Sequence, residues 1–107
     1  MHQINIKPLS VNLAWQGKRY KTPDYTIYER QVFFSLPKLE IPEGNLRLEL
    51  EFGLSNANAD LDNPVKPFLD ILQKKYGFND SRIYEATITK KIVPKTKEYT
   101  RFLITGI

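Results

Sequence analysis

Residues 46–54 read Leu46-Arg47-Leu48-Glu49-Leu50-Glu51-Phe52-Gly53-Leu54. Apolar and polar positions alternate without a break, the period of a strand that buries one face and wets the other. Such a strand needs a layer against its apolar face, and the flanking sequence offers two helices. Upstream, Tyr25, Tyr28, Val32 and Leu36 recur at helical spacing. Thr22-Pro23 supplies an N-cap and a proline at the first helical position, and Pro37 stops the pattern. Downstream, residues 63–76 carry Val65, Phe68, Leu69, Leu72 and Tyr76 on one stripe, and Gly77 is placed to cap the end. Pro67 would forfeit an early intrahelical bond if the helix began at Pro64, which moves its expected start toward Lys66.

Working outward, His2, Ile4 and Ile6 alternate with polar neighbours and predict a short first strand. Residues 8–22 read as a loop around Gly17, mixing Trp15 and Tyr20 with Lys18, Arg19 and Lys21. Residues 82–93 and 99–104 read as two more strands, and a hairpin through Pro94-Lys95-Thr96-Lys97 is the simplest connection. The order β-α-β-α-β-β predicts a single α+β domain over residues 1–107, a mixed sheet with two main helices packed on one face.

Composition narrows the chemistry. The chain has no cysteine, which excludes disulfides, a thiol nucleophile and thiolate-held metals. Its one histidine, His2, is expected at a frayed terminus and is a poor general base there, so catalysis would fall to carboxylates and lysines. The opening MHQINIKPLS lacks an apolar leader region, and no run approaches the roughly 18 apolar residues of a spanning helix, so a cytoplasmic protein without membrane contact is expected. The formal net charge is +4. Lys18, Arg19 and Lys21 lie early and Lys90, Lys91, Lys95, Lys97 and Arg101 late, a pattern that suits a polyanion partner or merely solvates strands and turns.

Asp60 and Asp62 stand two residues apart just before the second helix. In extended backbone alternate side chains point the same way, and two carboxylates about 4 Å apart repel by roughly 4 kcal/mol at an effective dielectric near 20. A hard cation, Lys66 or open water has to offset that. A calcium EF-hand is excluded, since Val65 stands where that loop needs glycine. Acids ahead of a helix also serve as plain caps or dipole partners, so the pair alone does not decide. Lys66 follows Asp62 by four residues, within reach of the same phosphate or paired with Asp62 or Asp70. Asp80 lies in the turn Gly77-Phe78-Asn79-Asp80-Ser81 and would join the pair if strand and helix fold back together. Asp70 and Glu85 read as solvated or paired surface acids.

Taken together, Asp60-Leu61-Asp62-Asn63-Pro64-Val65-Lys66, Phe68-Leu69-Asp70-Ile71-Leu72 and Gly77-Phe78-Asn79-Asp80 resemble the signature of the RusA-like Holliday junction resolvases. That family carries an Asp-x-Asp-Asn, a lysine four residues after the second Asp, a helix with Asp-x-Leu and a further Asp in the turn beyond it. Pro8-Leu9-Ser10-Val11-Asn12 resembles the family's N-terminal loop as well. The resemblance implies a homodimeric endonuclease, often encoded by phages or prophages, that uses Mg2+, with Mn2+ as a substitute, to nick branched DNA such as four-way junctions. By matching position, Asp60, Asp62 and Asp80 become the metal-binding acids and Lys66 the catalytic lysine. The chain departs from the pattern at Ser55-Asn56-Ala57-Asn58-Ala59, where family members often carry arginines, and at Asn79, where some have a second Asp. Lys18, Arg19 and Lys21, with Trp15 or Tyr20, are either candidate DNA contacts in place of those arginines or an ordinary basic loop with buried aromatics.

The alternative from another class is a non-catalytic DNA-binding or assembly module that retains the fold. An RNA-binding α+β domain ranks last, because residues 46–54 carry one phenylalanine and no Lys-Gly-Phe run.

Overall fold

The alternating segment is the centre of the molecule: Leu46, Leu48, Leu50 and Phe52 are each at most 2 % exposed. The computed structural model describes residues 1–16 and 20–107. Its strands are β1 (His2–Ile4), β2 (Trp15–Gln16), β3 (Tyr20–Lys21), β4 (Leu46–Leu54), β5 (Ile83–Ile92) and β6 (Tyr99–Gly106), and its helices are α1 (Val11–Ala14), α2 (Pro23–Ser35) and α3 (Val65–Tyr76). The main sheet has the order β1-β6-β4-β5. β4 runs antiparallel to β6 and parallel to β5, and β1 closes the far edge antiparallel to β6. This is the expected mixed sheet of an α+β domain.

Both main helices cover the apolar face of β4. α2 contributes Tyr28 and Val32 and α3 contributes Phe68, Ile71 and Leu72 to one cluster with Leu46, Leu48, Leu50 and Phe52. Phe68 is fully buried and meets two strand rings nearly edge-on, Phe52 at 6.4 Å and Phe102 at 5.7 Å between centroids. The opposite face of β4 carries Arg47, Glu49, Glu51 and Gly53. Gly53 pairs with Tyr99 across β4 and β6, and a Cβ there would overlap the tyrosine ring, so close approach rather than backbone freedom requires the glycine.

Three expectations change. The stretch read as a loop contains α1 and a two-strand ribbon of β2 and β3. Thr22 ties this region down by donating its hydroxyl to the Leu13 carbonyl at 2.5 Å while its backbone N–H reaches Ala14 O. Second, β5 and β6 form no hairpin, because β6 lies on the other side of β4. Residues 94–97 hold no Asn-Gly or Gly-x turn to join adjacent strands. The chain instead crosses the end of β4, where Val93 N–H donates to Leu54 O and Ser55 N–H donates to Glu98. Burial favours this path, since Phe102 and Thr100 are at most 2 % exposed and need a central strand. Third, His2 is not frayed: it pairs with Phe102 in the sheet, and the two rings lie 5.2 Å apart.

The parallel pairing of β4 and β5 sets the position of everything on α3. A helix that connects two parallel strands must run back along the sheet, so its start lies at the carboxyl ends of the strands and its finish at their amino ends.

Candidate functional site

Asp60 and Asp62 lie in the turn that carries the chain from the end of β4 into α3, and both are exposed. In open α/β sheets, the carboxyl ends of parallel strands are where ligands bind. The turn is held from beneath. Lys90 of β5 donates to the carbonyls of Ala57 at 3.0 Å and Ala59 at 2.8 Å, and Val11 N–H donates to Asn63 O at 2.8 Å. Asn63 Nδ2 reaches Asp60 Oδ2 at 3.4 Å. Asp60 also borders a cleft of about 230 Å³ whose polar lining includes Lys7, Ser10, Ser55, Asn56 and Asn63.

Neither acid caps the helix. The N-cap position is Pro64, no side chain bonds to the free N–H groups there, and the first turn contains no acid. Asp62 contributes its backbone carbonyl to Val65 N–H, while its carboxylate makes no hydrogen bond or ion pair among the described residues. Lys66 sits one turn in, 61 % exposed at the side chain, with its ammonium 3.4 Å from Asp70. An exposed i,i+4 pair of this kind contributes about 0.3 to 0.5 kcal/mol, little enough for the lysine to swing onto a phosphate.

Asp80 stands at the other end of α3. Gly77 ends the helix in the left-handed conformation, at φ 68°, and Phe78 is buried behind it. Asp80 then opens a short 3-10 turn (Asp80–Arg82), where its N–H donates to the Gln73 side chain at 2.9 Å. α3 has 12 residues, which at 1.5 Å per residue separates its ends by about 18 Å. Within one chain, therefore, Asp60, Asp62 and Lys66 lie at the start of α3 and Asp80 at its far end. The expectation that Asp80 folds back onto the pair fails because Asp80 precedes β5: the parallel pairing sets the start of β5 at the amino end of β4, and only its far part, at Lys90, comes back to the acid turn.

The donor set suits a hard cation only in part. Exposed carboxylate oxygens without other partners are the ligands that magnesium takes, and it keeps several waters besides. Among the described residues, however, no three His, Cys, Asp or Glu side chains stand close enough to hold a metal ion. One chain offers an acid pair at the turn, with Glu98, which accepts the Ser55 N–H, lining the same cleft as Asp60.

Of the basic loop, Lys18 and Arg19 lie outside the described residues. Lys21 is engaged: its ammonium is 3.3 Å from Glu29 and 4.9 Å from the centre of the Tyr25 ring. Lys74 bonds the same Glu29 oxygen at 2.7 Å. Its neighbouring ammonium, with some burial, holds Lys21 below the usual lysine range, while Glu29 raises Lys74. Burial works to raise the Glu29 carboxyl, but the two lysines outweigh it and hold it below the usual range.

The sequence reading passed over Lys90, Asn63 and Gln73 as supports of the site. Lys90 carried a signal, because Ala86, Ile88, Lys90 and Ile92 share one face of β5, and a lysine among apolar residues has to find acceptors. Compared with models of known protein families and with curated proteins, the chain matches none.

Proposed function

We propose that the chain is a metal-dependent endonuclease acting on branched DNA, of the RusA-like resolvase kind, and that it works as a homodimer. The observation that carries the reading is the pair Asp60 and Asp62, two exposed carboxylates at the carboxyl end of parallel strands with no capping role to explain them. The resemblance to the resolvase signature adds Lys66 and Asp80. Because Asp80 sits a helix length from the pair, the third acid at each site would be Asp80 of a second copy, and two-fold symmetry would create two such sites.

Asp60, Asp62 and the second copy's Asp80 would hold a magnesium or manganese ion. When bound, that ion supplies neutralisation of phosphate charge and activation of a water for in-line attack. Lys66, at the positive end of α3, would stabilise the charge that develops on the phosphate as the P–O bond to the leaving strand breaks. Lys7, which lines the cleft that Asp60 borders, would contact the backbone of the same strand.

The test is nicking of four-way junctions, forks and linear duplex with magnesium and with a chelator. Asp62→Asn and Asp80→Asn are each expected to abolish nicking while junction binding persists. Mixed together, the two inactive variants should regain about a quarter of wild-type activity, because half the dimers are mixed and each holds one intact site. Uncut junctions under all conditions refute the enzyme. The isolation of Asp80 within one chain favours one other reading, a DNA-binding module without catalysis. In that case removing Asp60 or Asp62 would tighten binding, by deleting negative charge next to the phosphates.

A further inference from the structure

β5 is an open edge. It is the last strand of the sheet, ten residues long, and its outer side has no partner among the described residues. The opposite edge, β1, spans only three residues. Proteins blunt long edges with proline, inward charges or irregular backbone, since a bare row of N–H and C=O groups invites another strand. Of these devices β5 carries one inward charge, Lys90, toward its end; its middle, Ala86-Thr87-Ile88-Thr89, has none, and the one irregularity in its pairing with β4 falls at the start, next to Tyr84. Two large apolar side chains are exposed near its ends, Tyr84 at 67 % and Ile92 at 54 %.

We infer that β5 is the self-association edge of this protein: two copies join antiparallel, β5 to β5, about a two-fold axis through Ile88. The axis stands perpendicular to the sheet, so each sheet face continues into the same face of the other copy. A residue can then pair only with one pointing to its own side, and the centre of symmetry fixes every pair. With Ile88 on the axis, Glu85 faces Lys91 of the other copy, Thr87 faces Thr89 and Tyr84 faces Ile92. Each of these pairs occurs twice. Centring on Thr87 would set Glu85 against Thr89 and Tyr84 against Lys90. Centring on Thr89 would set Thr87 against Lys91 and leave Glu85 opposite Val93. Only the Ile88 register matches opposite charges and covers both exposed apolar side chains. Glu85 already meets Arg47 through Oε2, at 2.6 Å, which leaves its other oxygen for the second copy's Lys91.

The pairing also accounts for the divided acids. In this register the start of one β5 lies beside the end of the other, and Asp80 is four residues ahead of Tyr84. It therefore lies past the second copy's Ile92, at the end of the sheet where the turn with Asp60 and Asp62 leaves β4. This last consequence rests on the nuclease reading, whereas the edge itself stands on the strand's exposure and charge pattern.

The experiment is sedimentation of the full chain with no metal present, followed by cross-linking. A dimer is expected, weakened about tenfold or more by Lys91→Glu, which sets like charges opposite each other twice, and restored by Glu85→Lys/Lys91→Glu. Ile88→Cys places a sole thiol on the axis, since the chain has no cysteine. A short bis-maleimide should join that variant into a covalent dimer but not Gln31→Cys, whose residue lies on the exposed side of α2. A chain that stays monomeric, or a dimer that ignores Lys91→Glu and resists cross-linking at Ile88→Cys, overturns the inference. A monomer whose nicking still depends on Asp80 would overturn the edge pairing and leave the nuclease standing. A dimer with the expected charge response that never nicks would uphold the edge and overturn the nuclease.

Discussion

α2 and α3 lie side by side on the same face of the sheet, yet they begin by opposite rules. α2 starts with Thr22 accepting the Tyr25 N–H, a proline at the first position and Asp24 in the first turn. The Tyr25 N–H and the positive end of the dipole each meet a residue suited to them. α3 starts at Val65 behind Pro64 as N-cap, with no side-chain cap and no acid in its first turn, although two acids closely precede it. One helix is set by local chemistry at its start. The other is held by what it buries, and the acids at its entrance take no part in capping it. Positions where local rules go unfulfilled without a structural return are where function is expected.

The largest effect that sharpens this contrast is at the middle of α3. Phe68 is fully buried between Phe52 and Phe102. Phe68→Ala is expected to cost about 3 to 5 kcal/mol, much of the stability of a domain this size. Urea unfolding measures it, and a loss below 1 kcal/mol would mean that something other than this ring anchors the helix.

At the start of α2 the expected effect is smaller. Thr22→Ala should cost about 1 to 2 kcal/mol, because it removes the cap and also the hydroxyl bond to Leu13 that ties α1 to the helix. Thr22→Ser keeps both bonds and should recover most of the loss. Amide exchange gives the location: protection should fall over the first turn of α2 and over α1, with α3 unchanged. A change spread evenly over the molecule would show that Thr22 is not a local tie.

What could be read from the sequence divides along the same line. The start of α2, the period of β4 and the left-handed Gly77 are local features, and each is written in a few adjacent residues. Pro67 strains an early start, and α3 begins at Val65, which puts the proline in the first turn, where its missing N–H costs nothing. The acid pair before α3 was equally legible. Pairing was not, because nothing in residues 83–92 states which strand they will meet. The order strand, helix, strand did hold a clue, since such a unit ordinarily crosses over to a parallel neighbour. From it follow both the missing hairpin and the distance of Asp80 from Asp60. The sharing of Glu29 between Lys21 and Lys74 is also non-local, since α3 brings Lys74 to that carboxylate.

The smallest expected effect bears most directly on the candidate site. If Asp62 served the start of α3 as a cap or dipole partner, Asp62→Asn or Asp62→Ala would lose up to about 1 kcal/mol of folding stability. Its carboxylate makes no such bond, and Pro64 occupies the cap position. Both variants should therefore unfold within about 0.5 kcal/mol of the parent chain, as exposed substitutions away from special features do. Stability should if anything rise, since removing one charge relieves the repulsion from Asp60. Adding magnesium or manganese supplies the complementary measurement. If the ion binds only the folded dimer, it should raise the midpoint of the parent chain and leave that of Asp62→Asn unmoved. An Asp62 variant that is clearly less stable, and that responds to the ion as the parent does, would return the residue to ordinary helix chemistry and remove the observation on which the nuclease reading depends.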